Sequence, residues 1–103
     1  AVAVPKFVDL KAEAQTAALD GVAGNIASAS ALNYAGGALD ATKGVATTGG
    51  GITCADAATA LLEGGVPAGY TVDALAMAAG PVTCTVTQTD GGATKTVTIL
   101  GVP

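Results

Sequence analysis

The sequence predicts an α+β fold in which one long N-terminal helix packs on a small antiparallel sheet, with a short second helix and one disulfide. Three observations predict it. The first third is alanine-rich with apolar residues at helical spacing, the last third is rich in valine and threonine in alternation, and Cys54 and Cys84 fall in the two different regions. At 103 residues the chain fits a single domain spanning residues 1–103.

Residues 1–35 read as the long helix. Val8, Ala12, Leu19, Val22, Ile26 and Ala29 form its apolar stripe, with Lys6, Asp9, Lys11, Glu13, Gln15 and Asp20 opposite. Thirty residues of helix would be about 45 Å long, more than so small a domain can cover at both ends, so one end is expected to project. The start, AVAVPKF, carries no Ser, Thr, Asp or Asn cap and reads as a helix cut in its middle, which makes this the projecting end. Gly36 and Gly37 are expected to stop the helix and open a glycine-rich surface loop over residues 36–53.

Residues 54–63 form the short helix, with Thr53 as cap, Asp56 in the first turn, and Gly64 and Gly65 as the stop. Antiparallel strands follow within residues 70–103, at 70–72, 82–88 and 94–100. Residues 89–93 join the last two as a hairpin. Alternation puts Val82, Cys84 and Val86 toward the core and Thr83, Thr85 and Thr87 away from it.

The core must be built from small side chains, since Phe7, Tyr34 and Tyr70 are the aromatics and there is no tryptophan. Each buried methylene contributes about 0.8 kcal/mol, so such a core stabilises less than a leucine or phenylalanine core, and a cross-link would help. An even cysteine count with no histidine and no CxxC pair fits a Cys54–Cys84 disulfide better than zinc or a redox motif, free thiols being the alternative. A disulfide implies an oxidising compartment.

Candidate chemistry is sparse. No histidine is present to activate a serine or cysteine nucleophile, and Ser28 and Ser30 sit on the first helix, where packing or solvent contact is the default. The eight carboxylates are scattered without an acid–base pair or a calcium loop, and Asp90 beside Gly91 reads as a turn before it reads as a metal ligand. Gly49, Gly50 and Gly51 lack the lysine and hydroxyl that complete a phosphate loop. No catalytic, metal or cofactor site is expected, and the chain is read as no enzyme. A net charge of −4 without arginine leaves no electrostatic footprint for nucleic acid. The alternating charges of Lys6, Asp9, Lys11 and Glu13 read either as a solvated helix face or as an assembly interface, to which Pro5 and Phe7 would belong.

AVAVPKFVDLKAEA, the alanine-rich helix after it and the cysteine pair spanning helix and sheet resemble type IV pilins, especially the mannose-sensitive haemagglutinin type. Ala3, Val4, Pro5, Lys6 and Phe7 match the junction at which the family's apolar N-terminal segment runs into the globular part. The match covers the first thirty or so residues, and the remainder only in layout. The resemblance implies a subunit of an extracellular helical filament serving adhesion, motility or DNA uptake. It also implies an apolar preceding segment that anchors in the inner membrane, an assembly machinery as partner, self-association when full length, and a monomer without that segment. Competing readings are a minor pilin, a pseudopilin of type II secretion, and a stand-alone secreted binding domain.

Overall fold

The computed structural model of the chain describes residues 7–40 and 42–103, with side chains from residue 11 onward. Helix α1 (Phe7–Leu39) is followed by α2 (Cys54–Leu61) and by the strands β1 (Tyr70–Val72), β2 (Gly80–Gln88) and β3 (Thr94–Gly101). The strands form one antiparallel sheet in the order β1-β2-β3. Both helices contribute to a single core. Leu19, Ala23 and Ile26 of α1 and Cys54, Ala57 and Ala58 of α2 meet Cys84, Val86, Val97 and Ile99 of the sheet, with Met77 closing one side. The alternation read from the sequence holds, for Cys84 and Val86 are buried while Thr83 is exposed and Thr85 and Thr87 are half-buried on the opposite face.

α1 continues through Gly36 and Gly37 to Leu39, past the predicted stop. Missing side chains are what the packing needs there: a Cβ on Gly37 would lie 3.2 Å from Val102, and one on Gly44 3.0 Å from the Gly37 backbone. The loop therefore crosses the helix at a glycine–glycine contact. The helix ends one turn later, where Asp40 accepts hydrogen bonds at Oδ1 from the Thr42 amide (2.9 Å) and hydroxyl (2.7 Å). Those two bonds favour the charged form and hold the Asp40 carboxyl below the ordinary carboxylate range.

The loop from residue 42 to residue 53 is tied down along its length. Asn33 pairs with Val45 like a strand residue, its Nδ2 donating to the Val45 carbonyl (2.9 Å) and its Oδ1 accepting from the Val45 amide (2.6 Å). Thr47, fully buried, donates its hydroxyl to the Leu100 carbonyl and accepts from the Val102 amide. Its own amide donates to Val102. The loop is a surface one, as composition describes it, and Thr47 is its single buried residue, with its polar groups satisfied by the end of β3.

α2 is shorter than predicted by two residues. Thr53 and Asp56 form a reciprocal capping box at its start. Leu62 is already extended, and Gly64 and Gly65 turn the chain at φ of 80° and 81°. β2 starts two residues earlier than predicted and includes Pro81. That is permitted because the Pro81 nitrogen faces the β1 side, and β1 reaches only to Val86.

Candidate assembly surface

Four tethers along one line set the position of α1 on the sheet. Gln88 of β2, buried, donates from Nε2 to the Gln15 carbonyl (3.2 Å) and to the Tyr70 hydroxyl (3.2 Å), while its Oε1 is buried without a partner. Gln15 donates from Nε2 to Asp90 in the β2–β3 hairpin (2.8 Å). Lys95 of β3 pairs with Asp20 at 2.8 Å. The Ser30 hydroxyl, buried, accepts from the Leu100 amide at 2.7 Å. Gln15, assigned to solvent by the sequence pattern, is thus half-buried against the sheet, while Asp20 stays exposed as that pattern has it and reaches Lys95 from the flank of the helix.

Ala12, placed in the apolar stripe by spacing, is exposed, and Ala29 is half-buried; the side chain of Val8 lies outside the described residues. Only from Leu19 onward does the helix contribute to the apolar core. The outward side of α1 carries Ala17, Gly21, Gly24, Ser28, Ala31 and Ala35, all exposed and three or four residues apart, so they fall on one line. Leu32 and Leu39 beside that line are 75% and 90% exposed. This helix is apolar on both sides although one side alone is packed. The line of small residues was readable from the spacing of Gly21, Gly24 and Ser28.

Of the interface residues proposed from sequence, Pro5 and Lys6 lie outside the described residues. Phe7 and Asp9 fall in the first turn of α1, where side chains are outside the description. Lys11 and Glu13 are exposed, and Lys11 Nζ stands 4.0 Å from Asp90. The hairpin tip thus faces the same stretch of helix.

Cys54 and Cys84 are joined, with Cα atoms 5.9 Å apart, and tie α2 to the centre of the sheet. The Asp73 carboxylate lies within 4.8 Å of both sulfurs. The sulfurs are spent on each other, and Asp73 Oδ1 accepts from the Thr85 amide (3.1 Å), so the cluster is a structural one. No helix among the described residues is long and apolar enough to cross a membrane. No protein-family model, curated protein or solved structure matches the chain.

Proposed function

We propose that this domain is the exposed part of a structural subunit of an extracellular filament of the type IV pilus kind, not an enzyme. One observation carries the reading. Away from its packed side α1 still carries small and apolar residues, for Ala17, Gly21, Gly24, Ser28, Ala31 and Ala35 and the neighbouring Leu32 and Leu39 are exposed, covered by none of the described residues. A helix of this composition is stable in water when its second side is also covered, and small residues allow helix backbones to approach closely. Many copies packed through α1 would cover that side and leave the loop and the sheet facing outward. The resemblance of residues 1–14 to pilins and the α+β layout support the same reading, and the disulfide is compatible with an extracellular location.

The test is to express the chain behind an apolar pilin-type N-terminal segment in a pilus-assembling bacterium lacking its own major pilin, and to image sheared surface material. Filaments containing the subunit are expected, and Leu32→Glu with Leu39→Glu should abolish them while the isolated domain keeps its thermal midpoint. Short, sparse fibres would favour the pseudopilin reading. A subunit that is stably made and processed but never found in fibres overturns the proposal in favour of a stand-alone secreted domain.

A further inference from the structure

β3 is an edge strand, and the C-terminal end of that edge is sealed by the chain itself. The Leu100 amide and carbonyl, which point away from β2, are taken by Ser30 and Thr47, and the Val102 amide and carbonyl by Thr47 and Thr48. By strand alternation the amides and carbonyls of Thr98, Thr96 and Thr94 point the same way. Beside them runs a groove of about 410 Å³, walled by Asp20, Ala23, Gly24 and Ala27 of α1 and by Thr96 and Thr98. The groove follows from how helix and strand are aligned. Between the Asp20–Lys95 and Ser30–Leu100 tethers the helix advances about 15 Å and the strand about 17 Å, so α1 lies along β3.

Exposed edges are ordinarily protected by a charge, a proline or a covering element. Here residues 94–99 carry one charged residue, Lys95, and its ammonium is drawn aside onto Asp20 at 2.8 Å. The edge is therefore locally neutral in a chain of net charge −4, and a like edge is not repelled by it.

We propose that this edge pairs with the same edge of a second copy, antiparallel and centred on Thr96, to make a six-stranded sheet across a two-fold axis. The sequence is self-complementary in that register. Thr96 faces Thr96, Thr94 faces Thr98, and Lys95 faces Val97, repeating the threonine pairing that β3 already makes with Thr85 and Thr83 of β2. The same axis brings the two α1 helices alongside through Gly24 and Ala27, where small residues permit the approach. On this proposal the isolated domain is a dimer, against the sequence expectation of a monomer. It depends on the β3 edge and not on filament formation, so either proposal can fail without the other.

Sedimentation and amide hydrogen exchange of the oxidised chain over a concentration series test it. A monomer–dimer equilibrium is expected, with exchange at Thr94, Thr96 and Thr98 slowing about tenfold or more as the dimer forms. Thr96→Pro removes an amide that β2 does not use and should give a monomer whose thermal midpoint matches that of the unaltered chain at dilutions where the latter is monomeric. A monomer at every concentration overturns the proposal, as does a dimer in which these three amides exchange at the monomer rate or which persists in a folded Thr96→Pro chain. Should that variant not fold, exchange in the unaltered chain decides alone.

Discussion

Residues 11–18 and residues 19–30 belong to one helix and draw on the same residue types, yet in the first stretch the side chain of Gln15 alone is even half-buried, while in the second Leu19, Ala23, Ile26 and Ser30 are buried. Composition does not separate them. What separates them is the sheet: β3 runs from opposite Asp20 to opposite Ser30, whereas residues 11–18 are reached by the end of β2 and the hairpin tip, through Gln88 and Asp90 at Gln15. An alanine-rich helix can be apolar everywhere and still acquire a core side only where another element supplies one.

Four measurements sharpen or break that contrast. Ile26 is fully buried at the centre of the packed stretch, and Ile26→Ala should lower the unfolding free energy by about 4 kcal/mol, read by urea denaturation. Replacing both Cys54 and Cys84 by serine opens a loop of sequence separation 30 and should cost about 3.6 kcal/mol, loosening α2 and β2 while residues 11–18 keep their exchange rates. Ser30→Ala leaves the Leu100 amide without its acceptor and should cost about 1–2 kcal/mol, whereas Ser28→Ala two residues away should be neutral. Asp20→Asn breaks a pair whose side chains are about half exposed, so its effect should stay below about 1 kcal/mol and shrink further with salt. Equal costs at Ser28 and Ser30 would contradict the assignment of sides along α1.

Much of the layout could be read from local chemistry. Period-two alternation in residues 82–88 and 94–100, the Thr53–Asp56 cap and the turn glycines at 64, 65, 91 and 92 each report on backbone geometry within a few residues, and the elements appear where those signals stand. The candidate surface was legible in part. Glycine and serine spacing on α1 marks one line of small residues, but spacing alone does not tell a packed line from an open one when alanine fills the rest of the helix. Gln15 and Asp20 illustrate the limit, since their polar character assigns them to solvent while their partners, Gln88, Asp90 and Lys95, lie more than seventy residues away in the chain.

By itself the sequence determined the order of helix and strands, the inward side of the sheet and the pairing of its two cysteines, because propensity, alternation and composition act locally or by count. Tertiary structure decided the rest. It carried α1 past Gly36 and Gly37, since Gly37 packs closely against Val102, a residue beyond the end of β3. It buried Ser30 and Thr47, whose hydroxyls are satisfied by the end of β3, and it chose which side of an alanine-rich helix would be core. Those outcomes depend on which groups are brought together across the fold, and a polar or apolar label carries no information about its distant partner.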